Sequence, residues 1–115
     1  MNYEKEKYDR TTSKVLNNGT LAGYLIKANG EYVFQYDRAY FLNTSLPSIS
    51  LALPKKKNIY KSKNLFPFFY GLLAEGENKS IQCRVLKIDE KDHFKRLLKT
   101  ASSETIGAIT IHEIH

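Results

Sequence analysis

Two Asn-Gly dipeptides, Asn18-Gly19 and Asn29-Gly30, constrain this chain more than any other feature. Both residue types tolerate positive φ, which tight hairpin turns require. Between the dipeptides, Leu21, Gly23 and Leu25 alternate with Ala22, Tyr24 and Ile26, the period of a strand. Val15-Leu16 leads into the first turn. Tyr32-Val33-Phe34-Gln35-Tyr36, dense in β-branched and aromatic residues, leaves the second. The first third of the chain therefore predicts an antiparallel meander.

Tyr36 to Leu42 reads as a short helical turn or a loop that tucks Tyr40 and Leu42 inward. Ile49, Leu51 and Leu53 alternate with small residues and predict a half-buried strand over 48–53, ended by Pro54, which cannot donate to a ladder. The most apolar stretch is 65–77. Leu65, Phe68, Phe69, Leu72 and Leu73 share one face of a helix, with Asn64 or Ser62 as cap, Pro67 in the first turn and Gly76 as the stop. Phe66 and Tyr70 then point off that face, as exposed aromatics suited to a partner. A second helix, capped by Asn78, would bury Ile81, Val85 and Ile88. A third, capped by Asp89 with Asp92 in support, would bury Phe94, Leu97, Leu98 and Ala101. Ile106 to His112 closes the chain as a strand. The sum is a small α+β domain over residues 13–115: a curved antiparallel sheet packed against two or three helices, preceded by a loose polar arm over 1–12. At 115 residues the chain holds one domain.

Chemistry is sparse. There is no phosphate-cradling glycine loop. Cys83 lacks a neighbouring histidine and reads as a packing cysteine. His112 and His115 fall on opposite strand faces, and His93 reads as a surface residue. Glu75 and Glu77 flank Gly76 as an acidic turn, where negative charge also favours the start of the next helix. No catalytic residue, metal or cofactor is expected. No run of 18 apolar residues is present, and the charged first residues lack a secretory pattern, so a cytoplasmic protein without membrane contact is expected. Lys55, Lys56, Lys57, Lys61 and Lys63, with Tyr60 among them, form a basic segment in a chain of net charge +6. Such a segment is a solvated loop or a phosphate-contacting one, and the absence of arginine there argues against base-specific recognition.

The ordered blocks carry more information than any single residue. Val15-Leu16-Asn17-Asn18-Gly19, Leu21-Ala22-Gly23-Tyr24-Leu25, the run from Tyr32 to Tyr40, and Pro47 to Pro54 resemble the opening of the HipA family. Pro67-Phe68-Phe69-Tyr70-Gly71-Leu72-Leu73-Ala74-Glu75-Gly76-Glu77 resembles its P-F-F-x-N-L-L-P-E-G-E box, with Gly71 for Asn and Ala74 for Pro. Ile106-Gly107-Ala108-Ile109 resembles its closing strand, with Glu104 near the usual Asp. The resemblance runs from about Lys14 to Ile111 and covers only the family's small N-terminal subdomain, without the kinase core. It implies a freestanding piece of the HipS kind: a non-catalytic antitoxin that binds a separate HipA/HipT-like serine/threonine kinase beside a HipB-like DNA-binding protein, any DNA contact being indirect. The residues expected at the partner surface are Phe66, Tyr70, Glu75, Glu77, Lys55, Lys56, Lys57, Tyr60, Lys61 and Lys63. The alternative is a nucleic-acid-binding accessory of a repressor complex.

Overall fold

A computed structural model describes residues 10–73, 76–101 and 108–114, with the backbone alone for 76–78. Among these residues, five strands form one open antiparallel sheet in the order β4-β3-β2-β1-β5. The strands are β1 (Thr11–Asn17), β2 (Thr20–Ala28), β3 (Glu31–Tyr36), β4 (Ile59–Ser62) and β5 (Ile109–Ile114). The helices are α1 (Arg38–Leu42), α2 (Pro67–Tyr70), α3 (Gly76–Leu86) and α4 (His93–Thr100). The α+β class and the three-strand meander agree with expectation. Both turns carry the positive φ that Asn-Gly supplies: 52° and 82° at Asn18-Gly19, 54° and 75° at Asn29-Gly30.

Register assigns each side chain to a face. Ser13, Val15, Leu25, Phe34, Tyr36, Ile109 and Ile111 point to one face and are buried. Helices cover that face: Tyr40 of α1 stacks on Tyr36, Phe69 of α2 packs on Phe34, and Phe94 of α4 meets Tyr32 edge-on. Lys27, also on this face, lays its ammonium 5.4 Å from the Tyr32 ring and 5.8 Å from the Phe94 ring. A bulge between Val15 and Leu16 leaves Ala22 as the extra residue, and its carbonyl accepts the Asp37 N–H at 2.8 Å. Asp37 then caps α1 by accepting from the Tyr40 N–H. The opposite face carries Leu16, Leu21, Tyr24, Ile26 and Val33, all half-buried and outside the core cluster.

Several local expectations are corrected. Residues 48–53 form no strand. The Ser50 hydroxyl accepts from the Ala52 N–H, and the Ser50 carbonyl from the Leu53 N–H, so the chain turns. Ile49 and Leu53 then point inward while Leu51 is 100% exposed. The stretch 65–73 is no long helix, and its N-cap Phe66 makes no side-chain cap. Past Tyr70 the bonds tighten to Leu72 N–H to Phe69 C=O and Leu73 N–H to Tyr70 C=O, the i→i−3 pattern with side chains three apart in line. Phe66 itself stands ahead of the helix as an N-cap with extended backbone, so helical spacing does not place it; its ring packs edge-on against Phe69 and it is buried, not exposed. Gly76 begins α3 rather than ending a helix. Leu42 is exposed, not tucked in.

The α3 stripe is wrong too, for a definite reason. Lys87 adopts φ +56°, the Ile88 N–H bonds to the Cys83 carbonyl, and the Lys87 N–H bonds to that of Arg84. This Schellman ending turns Ile88 back toward buried Cys83 and out of the helical count, while Ile81 and Val85 are 51% and 72% exposed. Cys83 packs as expected. Asp92, not Asp89, caps α4 and accepts from the Lys95 N–H; the Asp89 carboxylate accepts locally from the Lys91 N–H. The expected α4 stripe holds, with Phe94, Leu97 and Ala101 buried and Leu98 half-buried. The C-cap carbonyl of Ala101 accepts the Ile111 N–H at 2.9 Å, fastening α4 to β5. The first nine residues of the expected arm, Asn78 as a cap, Ile106 and Gly107 of the closing strand, and His115 lie outside the described residues or side chains.

Two stability measurements test this packing. A Cβ at Gly23 would stand 2.4 Å from the Gln35 carbonyl oxygen and 2.9 Å from the Phe34 ring. Gly23→Ala is expected to destabilise by about 2–3 kcal/mol in urea unfolding. Lys87→Gly relieves the left-handed backbone and is expected to raise stability by about 0.5–1 kcal/mol in the same assay.

Candidate functional site

The basic segment belongs to the long connection between α1 and β4, and tyrosine hydroxyls hold this connection in place. The Tyr36 hydroxyl donates to the Leu53 carbonyl and accepts from the Ile49 N–H at 3.1 Å. The Tyr40 hydroxyl donates to the Pro47 carbonyl at 2.6 Å and accepts from the Asn17 amide at 2.9 Å. The Tyr60 hydroxyl donates to the Pro54 carbonyl. Each phenol thus satisfies a loop carbonyl that no strand partner reaches. Desolvation by burial is the main cause that pushes the Tyr36 phenol above its ordinary 10.0, and hydrogen bonds from Ile49 and Ser48 partly offset it.

The lysines divide by role. Lys55 is structural: its ammonium donates to the Asn43 and Leu46 carbonyls at 2.7 and 2.9 Å and lies 5.2 Å from the Tyr40 ring. Its N–H donates to the Ser48 hydroxyl at 2.9 Å. Lys57 holds its ammonium 4.7 Å from the Tyr60 ring. Lys56 and Lys63 are exposed. Lys61 is exposed on β4, opposite Val33 on the helix-free face. The expected loop is thus part clamp and part edge strand, where lysines also discourage unwanted strand pairing.

The aromatic expectations separate likewise. Tyr60 is half-buried against the core and Phe66 is buried in it. Tyr70 is 38% exposed, with its ring 4.9 Å from that of His93 in an edge-on contact. His93 is therefore half-buried, not a free surface histidine. Arg96, on the same helix, is 2% exposed, with a guanidinium nitrogen 3.3 Å from His93 Nδ1 and 3.5 Å from the Glu90 carbonyl. Sequence reasoning missed this Tyr70–His93–Arg96 group, although the i, i+3 spacing of His93 and Arg96 on a helix was a visible sign. The side chains of Glu75 and Glu77 lie outside those described. His112 bonds to the Thr110 hydroxyl within β5. A cleft of about 600 Å³ between the β2–β3 turn and α4 is lined by Lys27, Lys95 and Lys99 but also by Asp92 and Glu113, so it favours neither sign of ligand. Among the described residues, no three His, Cys, Asp or Glu side chains gather as a metal site, and no helix is long and apolar enough to cross a membrane.

A family model described as HipA N-terminal domain matches residues 13–112. A protein of Haemophilus influenzae is 31% identical over 102 residues, covering 89% of this chain and 92% of that protein. "Putative kinase Y4mE" of Sinorhizobium fredii is 26% identical over 104 residues; the match covers 87% of this chain but 24% of that protein. A solved structure titled "N-terminal domain of HipA toxin" superposes with a TM-score of 0.69 at 24% identity, over 91% of this chain and 93% of its own. It shares the fold.

The tyrosine clamp predicts a specific response. Tyr36→Phe leaves the Leu53 carbonyl and Ile49 N–H without a partner and is expected to cost about 1–3 kcal/mol. The raised native pKa stabilises the fold fully below pH 10.0, and this contribution is lost as pH rises from there through the native value. Denaturant midpoints measured between pH 8 and 11 are expected to fall at the alkaline end, and less steeply in Tyr36→Phe.

Proposed function

Because the chain belongs to the HipA N-terminal domain family and so is related to the toxin–antitoxin kinases, we propose that it is a non-catalytic module that docks on a separately encoded HipA/HipT-like serine/threonine kinase and restrains it. One observation carries this reading. The same domain makes up nearly all of the Haemophilus protein and about a quarter of the Sinorhizobium protein named as a kinase. A domain used both within a long kinase-named chain and nearly alone is suited to act on such a chain from outside. The Sinorhizobium protein's name stays with that protein; here it supports only the class of the partner.

The proposed contact uses those of the expected residues that are exposed. In this reading Tyr70, on the helical side, is the exposed aromatic anchor, and Lys56, Lys57, Lys61 and Lys63 form a separate basic strip that steers association with an acidic surface. Phe66, Lys55 and Tyr60 support this surface from beneath. Glu75 and Glu77 keep their place in the proposed contact by position in the family box alone. Restraint is steric: the module sits against the kinase and limits access to its cleft or movement of its lobes. A HipB-like protein would join through the kinase, so that contact with DNA is indirect.

The full chain, tagged and expressed in its native host, is expected to co-purify a kinase of this family, identified by mass spectrometry. Adding the chain to that kinase is expected to lower its autophosphorylation. Tyr70→Ala is expected to weaken binding roughly tenfold with the melting transition unchanged. Capture of nucleic acid alone, released steeply by salt, would transfer support to the nucleic-acid reading.

A further inference from the structure

Among the described residues no helix covers one face of the sheet, and that face has the composition of an interface. Every side chain in the core cluster that comes from the sheet points to the helical face, apart from Ala22 at the bulge. On the other face, Tyr24, Ile26 and Val33 lie at the centre of three paired strands, only half-buried. Ile59 and Ile114, on the two edge strands, are 38% and 40% exposed. A solvated sheet face ordinarily alternates to polar residues, and apolar ones across neighbouring strands indicate contact with another body. Five strands spaced ~4.8 Å apart give a face about 20 Å wide, on the scale of a folded partner rather than a small molecule.

Charge selects among possible occupants. Lys14 pairs with Tyr24 and His112, and Lys61 pairs with Val33, so two cations bracket the apolar centre. The carboxylate at a described position of this face is Glu31, at the start of β3. A second copy would set the same Lys14 and Lys61 cations against this face, in a chain that already carries net charge +6. A partner with an apolar centre and acidic rim meets no such repulsion.

We infer that the helix-free sheet face, centred on Tyr24, Ile26 and Val33 and flanked by Lys14 and Lys61, is a docking surface for an apolar, acid-rimmed face of the partner kinase. This rests on the function proposed above and adds where the larger contact forms. Lys61 joins it to the basic strip already described, while Tyr70 belongs to a separate element.

The test uses the full chain and the kinase that co-purifies with it, titrated by calorimetry. Ile26→Glu and Val33→Glu are expected to weaken binding at least tenfold, and Lys14→Glu with Lys61→Glu about tenfold at low salt, less as salt rises. Circular dichroism melting establishes that each variant is folded, and the lysine pair keeps the test decisive if the glutamates unfold the sheet. Wild-type affinity in folded face variants, with Tyr70→Ala still weakening binding, would overturn this inference and leave the docking function standing. A chain that binds no kinase would overturn both. Light scattering showing a dimer that Ile26→Glu turns into a monomer would assign the face to a second copy. Sedimentation of the chain with anionic phosphatidylserine vesicles, lost in the same variant, would assign it to a membrane.

Discussion

The Phe34 ring occupies the space that a side chain at position 23 would need, and the rest of the structure is arranged around that fit. Phe34 is fully buried, with its centroid 4.8 Å from Tyr36 and 5.7 Å from Phe69. It therefore joins the sheet to α2 and stands next to the residue that begins the tyrosine clamp. The bulge beside Gly23 releases the Ala22 carbonyl to Asp37, and Asp37 starts α1. One crowded place in the second strand thus determines where the meander ends and where the long connection departs.

That connection shows how a segment without regular structure is kept ordered. Its carbonyls lack ladder partners, and a loop with unmet polar groups cannot rest on an apolar core. Three phenols supply the missing donors, and their rings fill the space beneath. The abundance of tyrosine and absence of tryptophan in this chain have a physical meaning here: each ring packs inward while its hydroxyl reaches a backbone oxygen. The lysine segment is held as part of this arrangement, which is why Lys55 serves the fold and its neighbours remain available.

What the sequence disclosed follows from the range of the forces involved. Hairpin turns and the α4 stripe depend on nearby residues, and Asn-Gly pairs or the spacing of Phe94, Leu97 and Ala101 suffice to show them. The expected strand over 48–53 failed because alternation also fits a turn: Ser50 folds the chain back and places Ile49 and Leu53 inward without a neighbouring strand. The α3 stripe failed because one residue, Lys87, takes a conformation usually left to glycine and removes Ile88 from the helical count. Phe66 was misplaced because the helix begins only at Pro67, leaving Phe66 in extended backbone where a 3.6-residue count does not apply. At the candidate site the residue types were visible in advance, but their division into supports and exposed contacts depends on long-range packing.

The pairing of β5 with β1 sets the last strand against the first, antiparallel, with Thr12 opposite Ile114. The described ends of the sheet therefore lie one strand spacing apart, about 5 Å. A chain continuing past Ile114 leaves beside the point where the domain begins, so the domain could be inserted within another fold, or its ends joined and a new opening made at a hairpin, without disturbing the ladder. It also means that β1 stands as an open edge during synthesis until β5 emerges, so this pairing is a late and long-range event.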